Sequence, residues 1–265
     1  FVFACFPLIF FTKKPNCSIS LIFKFSFLVW ICQLSGIAFG LYLGMPAVLC
    51  SLLMQSQTIF TVMLSVIFFY YRPKKLEIIG IALAFVGLSI IAFHGRGQFS
   101  WVTFFLVLFA AFTVAIGNLL FKNQTQKIDM FSLIIWSCLI PPIPMFATSF
   151  ILDGWETICL ACVTFKWPSF LAILYSSIFA TILATTSYTY LLKKYEPATI
   201  VPFTMLTPIF GTLSSIVILQ ERLTKECLIA AIFIIVGLFI NQFARKTAKQ
   251  ELLISEKEIS LKQAA

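Results

Sequence analysis

Apolar runs separated by short polar breaks repeat along the whole chain. Nine such segments follow one another, at 1–12, 20–43, 46–69, 76–93, 101–121, 130–152, 169–192, 198–219 and 225–243, before a polar tail at 244–265. A bilayer core is crossed by about 20 apolar helical residues at about 1.5 Å each, so all but the first segment are long enough to span. Only helices and closed barrels satisfy their backbone in lipid. The short alternating strands of a barrel are missing, so the segments are predicted to be helices. The first is too short to cross alone and reads as the end of a truncated helix. It is no secretory leader, because a basic start and a small-residue cleavage site are both missing.

Polar residues enter these runs at helical spacing. In 46–69 they are Ser51, Gln55, Thr58, Thr61 and Ser65, with Gln57 beside them. In 198–219 they are Thr204, Thr207, Gly211, Ser214 and Ser215, and in 169–192 Ser177, Thr181, Thr185 and Tyr188. Asn118 and Trp136 are single polar handles in the fifth and sixth segments, and Gln33, Gly36 and Gly40 lie in the second. An amide facing lipid is unsatisfied, so these groups are expected to face protein or water. Small residues serve packing by letting helices approach, and that reading suits Gly36, Gly40, Gly211, Ser65 and Ser215. Ser or Thr would serve packing at less desolvation cost than Gln55 and Gln57, which keeps those two as cargo candidates. Pro141, Pro142, Pro144, Pro202 and Pro208 are expected to break or kink their helices.

Composition agrees with the pattern: 60% of residues are apolar and 11% charged, against about a quarter charged in soluble domains. The net charge of +9 sorts by side rather than forming a nucleic-acid surface. Of the 19 Lys and Arg, 14 follow odd-numbered segments, four follow even-numbered ones, and Lys24 snorkels from within a helix. Positive-inside reasoning puts the C-terminus in the cytoplasm. Cys159 and Cys162 fall in the longest connection, 153–168, and read as incidental loop cysteines, because no second pair or His cluster accompanies them.

An internal repeat underlies the segments. Arg72–Ile90 matches Arg222–Ile240 at an offset of 150, with Arg, Lys, Val-Gly-Leu and Ile coinciding. Residues 1–96 then form a first unit lacking its N-terminal part, and 97–243 a second unit of five helices. An odd number of helices inserts the two units in opposite directions, the pattern of secondary transporters. The fold class is therefore an all-α membrane protein, an inverted repeat of two five-helix units whose first helix is missing.

No Asp, Glu or His is expected at depth. Glu77, Glu196 and Glu221 lie at helix ends in reach of interfacial solvent, and His94 follows the fourth segment. No metal-protease helix or phosphate-binding loop occurs, so neither an enzyme, a cofactor nor a metal is predicted.

The turn Glu221-Arg-Leu-Thr224, its counterpart Arg72-Pro-Lys-Lys75 and the Gly-containing helices after them resemble the EamA branch of the drug/metabolite transporter superfamily. Three stretches are similar to its bacterial exporters of O-acetylserine and cysteine: Gly44–Leu64, the Ile135-Trp-Ser-Cys-Leu-Ile-Pro141 region through Gly154, and Tyr195 through Pro208. Tyr71 stands where the other turn has Glu221. The resemblance implies a ten-helix carrier of a bacterial inner membrane that exports small amino-acid metabolites by alternating access. Polarity and repeat position propose Gln55, Gln57, Asn118, Trp136, Tyr188, Thr204 and Thr207 as cargo-binding residues. Lipid and an amino-acid-like molecule are the expected partners, nucleic acid is not, and a homo-oligomer is left open. A broader drug or metabolite exporter, and a non-transporting sensor or remnant, stand as alternatives.

Overall fold

A computed structural model of the chain describes residues 2–94, 99–122, 128–184, 187, 190–191, 206–220 and 224–264. Its elements are helices: α1 (Val2–Ile9), α2 (Ile19–Phe25), α3 (Gln33–Tyr42), α4 (Ala47–Met54), α5 (Ser56–Phe69), α6 (Lys75–His94), α7 (Trp101–Lys122), α8 (Met130–Ser137), α9 (Pro142–Val163), α10 (Trp167–Leu174), α11 (Leu206–Ile218) and α12 (Lys225–Ala264). Two π-helical stretches, Ser26–Cys32 and Tyr175–Leu183, continue α2 and α10. Six runs within these helices are long and apolar enough to cross a membrane. The fold is an all-α, multi-pass membrane fold.

Two compact units divide the chain, and each takes residues from both sides of position 97. The first joins Phe1–Ser35 to Ile116–Tyr195, and the second joins Gly36–Ala115 to Glu196–Ala265.

In the first unit, α1 and α2 pack on α8. The π-helical stretch turns Ser26 and Trp30 toward α8, where the Ser26 hydroxyl donates to the Ser137 carbonyl and Trp30 Nε1 donates to Ser137 Oγ, each at 2.8 Å. Buried Cys5 and Cys138 lie in one apolar cluster with Ile135. Gly117 admits Val29, whose Cγ2 would stand 2.4 Å from an added Cβ.

The second unit holds the larger core. Gly36 and Gly40 sit against α7, where an added Cβ would lie 2.8 Å from Ala110 Cβ and 2.7 Å from Val107 Cγ2 respectively. Their predicted packing role is observed. The most extensive helix pair is α6 with α12. A Cβ on Gly80 would lie 2.5 Å from the Gly237 carbonyl oxygen, and one on Gly237 would lie 2.5 Å from the Gly80 oxygen and 2.6 Å from Ala84 N. Farther along, a Cβ on Gly87 would lie 2.6 Å from Ile234 Cγ1 and 2.8 Å from the Ala230 oxygen. Numbers rise on one helix as they fall on the other, so the two cross antiparallel, backbone on backbone. These are the helices matched by the 150-residue repeat, and the contacts are reciprocal. Gly80 and Ala84 meet Gly237, while their repeat counterparts Ala230 and Ile234 meet Gly87.

Three expectations are corrected, and the break expected from Pro141, Pro142 and Pro144 is observed. The span 46–69 is not one helix: it breaks at Gln55, which ends α4 and precedes α5. No proline stands there to announce it. The span 130–152 breaks over Cys138–Pro141, where Pro142 and Pro144 cannot donate to the preceding turn, as the prolines predicted. The connection 153–168 is mostly helical, α9 running to Val163 across a kink at Gly154 with φ 76°. Its apolar and helix-favouring residues sustain the helix, and glycine alone adopts that angle without strain. Cys159 and Cys162 are therefore exposed thiols on a helix rather than in a loop, and both are free.

The third correction is Glu77, expected in reach of interfacial solvent and found with 0% exposure. Two features make its burial tolerable. It lies in the first turn of α6, where the helix N-terminus favours a negative group, and Tyr71 Oη donates to Glu77 Oε1 at 2.7 Å. Asn241 of α12 donates from Nδ2 to the Glu77 backbone oxygen at 3.3 Å, tying this turn to the glycine crossing. Tyr71 thus brings a carboxylate to the turn that lacks its own glutamate. Replacing Tyr71 with Phe removes a donor to a buried acid and should cost about 1–3 kcal/mol. Thermal melting of the detergent-purified protein would read that loss, with no shift expected for Tyr70→Phe at a side chain 88% exposed.

Candidate functional site

Two buried polar side chains of the second unit, Gln55 and Ser56, stand at the break between α4 and α5. Helix α4 is apolar except for Ser51, and Val48, Leu49, Cys50, Leu52, Leu53 and Met54 are all buried. A helix so enclosed holds its C-terminal end in place. Gln55 follows at that end with φ −67° and ψ −17°, 9% exposed. Its N–H donates to the Leu52 carbonyl at 3.1 Å, a tighter turn than the α-helix, and its carbonyl accepts from Thr58 N at 3.0 Å. The helix is therefore interrupted near the middle of a span, where the backbone of an unbroken helix would be closed to a ligand.

The buried face of α5 is Ser56, Ile59, Val62 and Ser65. Ser65 lies on the face expected from the spacing, whereas Thr61 is half-buried. Gln57 and Thr58 are half-buried. Thr61 and Ser65 return their hydroxyls to the Gln57 and Thr61 carbonyls, each at 2.7 Å, which leaves them to packing.

Helix α11 packs on α4, with Ser51 Cβ 3.5 Å from the position a Cβ would take on Gly211. Ser215, buried, donates to the Gly211 carbonyl at 3.0 Å. Thr207 lies one turn before Gly211 and is exposed, just as Gln55 lies one turn after Ser51. Pro208 stands in the first turn of α11, where proline costs no hydrogen bond.

The remaining candidates are distributed differently. Asn118, exposed, and Trp136, half-buried, belong to the first unit. The Trp136 indole packs with the cluster of Ile22, Phe25, Ile128 and Leu133, and its Nε1 is buried without a hydrogen-bond partner among the described residues. Tyr188, Thr204 and Pro202 lie outside the described residues. Sequence reasoning missed Ser56, whose buried hydroxyl also lacks a partner among the described residues. It looked like one more small residue, because the signal that distinguishes it, the break at Gln55, is conformational.

Neutral amides and hydroxyls at an interrupted helix can bind and release a polar molecule. This is the arrangement of a membrane transporter. Residues 101–242 match the model of the EamA-like transporter family. The chain is 34% identical over 255 residues, 94% of its length and 85% of the relative's, to a "Probable amino-acid metabolite efflux pump" of Escherichia coli K12. It is 35% identical to a protein of the same description from Salmonella typhimurium LT2, covering 94% of this chain and 86% of that one. An "Uncharacterized transporter YvbV" of Bacillus subtilis is 23% identical over 69% of this chain and 59% of its own. The chain belongs to the EamA-like transporter family. It is a secondary membrane transporter and not an enzyme.

Proposed function

We propose that the protein exports small metabolites across a bacterial plasma membrane, and that its cargo is amino-acid-like. The observation that carries this reading is the two efflux relatives, similar along nearly the whole chain. The wider class, small metabolites, has the stronger support, and cysteine and O-acetylserine are the cargoes we would test first within it. A zwitterion of that size suits the neutral groups at Gln55, which offer hydrogen bonds without imposing a net charge.

The cargo site in this reading lies between the α4–α5 break and α11. Spans of odd and even number run in opposite directions, so the Ser51–Gly211 contact carries the next turn of each helix to Gln55 and Thr207. Gln57 and Thr204 are proposed with them, and Asn118, Trp136 and Tyr188 are proposed cargo contacts of the first unit in their own right. The reciprocal crossing of α6 and α12 supports an inverted repeat with boundaries near 1–96 and 97–243 and an alternating-access cycle. The distribution of Lys and Arg supports a cytoplasmic C-terminus, with 244–265 as its tail.

The test is release of a metabolite panel from cells expressing the carrier with any native N-terminal extension. Faster release of cysteine, O-acetylserine or related amino acids than from vector cells supports the reading. Faster release of only unrelated drugs or nucleotides would keep a carrier and discard the amino-acid cargo.

A further inference from the structure

Gly154, at φ 76° and ψ 162°, kinks α9, and the helix resumes over 155–163. Residues 130–152 already suffice to cross a bilayer core, which takes about 20 apolar residues. The resumed segment therefore begins past the end of a span. Asp153 and Glu156 stand at its start and Lys166 after its end, charges that belong at a water boundary. The next apolar helix, α10, opens at Trp167.

The segment is amphipathic at helical spacing. Trp155, Ile158, Cys159, Cys162 and Val163 fall at i, i+3, i+4, i+7 and i+8, the stripe of one helix face. Glu156, Thr157, Ala161 and the capping Thr164 take the opposite face, with Leu160 as its one large apolar residue. No described residue covers the stripe. Trp155 is 59% exposed and Val163 86%, both thiols are exposed, and Ile158 is half-buried. An apolar face left bare in this way marks a docking surface.

What docks there follows from where the segment is tied. A span ends just before Gly154 and an apolar helix begins at Trp167, so both ends are held at the edge of the bilayer. Continued along the bilayer normal, the helix would carry its stripe into water. Turned into the plane, it sets the stripe among acyl chains and leaves Glu156 and Thr157 to the headgroups. Tryptophan favours that boundary, and one marks each end. Trp155 leans on Phe150 across the kink with ring centroids 6.2 Å apart, and Trp167 lies 5.4 Å from Phe170. A stripe this short falls well below the roughly 800 Å² per partner of a stable protein interface, whereas lipid needs no minimum area.

We propose that 155–163 is an in-plane helix whose Trp155, Ile158, Cys159, Cys162 and Val163 stripe docks in the acyl–headgroup boundary of the phospholipid bilayer. The site does not depend on the cargo reading. Cys159 and Cys162, exposed on the chain itself, then face hydrocarbon, and the junction between two spans is held at one level of the membrane.

The test is depth, read residue by residue. Each position of 155–164 in turn carries the sole spin label, on a full chain whose native cysteines are replaced by alanine, in phosphatidylcholine nanodiscs. Collision with oxygen relative to a water-soluble nickel chelate should peak at 155, 158, 159, 162 and 163 and fall at 156, 157, 161 and 164. The peaks should share one depth, about 5–10 Å below the headgroups. A depth that changes steadily along the segment would make it a continued span and overturn the proposal. So would nickel access at every position, or a stripe closed to both reagents, since water or protein then covers it. Brominated lipids keep the test intact if the cysteine-free chain does not fold. The fluorescence that Trp155→Phe removes from the otherwise native protein should be quenched more by bromine near the headgroup than near the chain ends. The reverse order, or no quenching by either, would equally overturn the in-plane helix.

Discussion

Leucine at position 237 should leave no folded protein to purify. Even the Cβ of alanine would stand 2.5 Å from the Gly80 carbonyl oxygen and 2.6 Å from Ala84 N, both backbone atoms with no rotamer to yield. Overpacking a side chain typically costs about 1–3 kcal/mol, and here the helices themselves must separate. Gly237→Ala is expected to lower the melting temperature sharply, and Gly237→Leu to abolish the monodisperse peak in gel filtration of detergent extracts. Gly211→Ala is the comparison, because its Cβ would meet Ser51 Cβ at 3.5 Å, an ordinary contact. A Gly237→Leu protein as well behaved as Gly211→Ala would show that α6 and α12 do not cross where described.

The second large effect falls on transport and not on folding. Gln55→Leu should reduce efflux of the cargo about 10–100-fold, the consequence of losing one hydrogen bond of about 1.5–3 kcal/mol to a charged group. The purified variant should elute and melt as the wild type does, since no described side chain depends on that amide. Gln57→Leu, half-buried on the other side of the break, is expected to have the smaller effect. Unchanged efflux in Gln55→Leu would remove the break from the cargo path.

Much of the fold was legible because lipid narrows what a backbone can do. Apolar length alone placed the spans, and Gly36 and Gly40 could be assigned to packing from their spacing, which Ala110 and Val107 bear out. Pro141 and Pro142 announced the break after α8. What could not be read was conformational. Nothing in Met54-Gln55-Ser56 marks an interruption, since each residue is compatible with an unbroken helix and only its packing distinguishes it. Apolar periodicity also says nothing of π-helical stretches, so the turn of Trp30 and Ser26 toward Ser137 was invisible. Glu77 was misplaced because a carboxylate near a helix end is ordinarily solvated, and its donor, Tyr71, lies six residues earlier around a turn. Polarity placed Gln55 away from lipid, and it is a buried amide, while of the polar residues spaced with it along α5 Ser65 is buried and Thr58 and Thr61 are half-buried.

The α6–α12 crossing carries a consequence for how such a chain can arise and diverge. A contact in which Gly80 and Ala84 meet Gly237 while Ala230 and Ile234 meet Gly87 is the one that two copies of a half-length ancestor would make if inserted in opposite directions. Joined in tandem, the copies no longer need to be interchangeable. Gly87 and Gly237 have stayed alike, but one copy's Ala84 faces a glycine backbone where the other's Ile234 fills the space over Gly87. The two helices approach main chain to main chain at both ends of the crossing, and the Ile234 side chain adds to the contact at the Gly87 end. The seam is thus uneven in its side chains, with Ala84 over a glycine at one end and Ile234 over a glycine at the other.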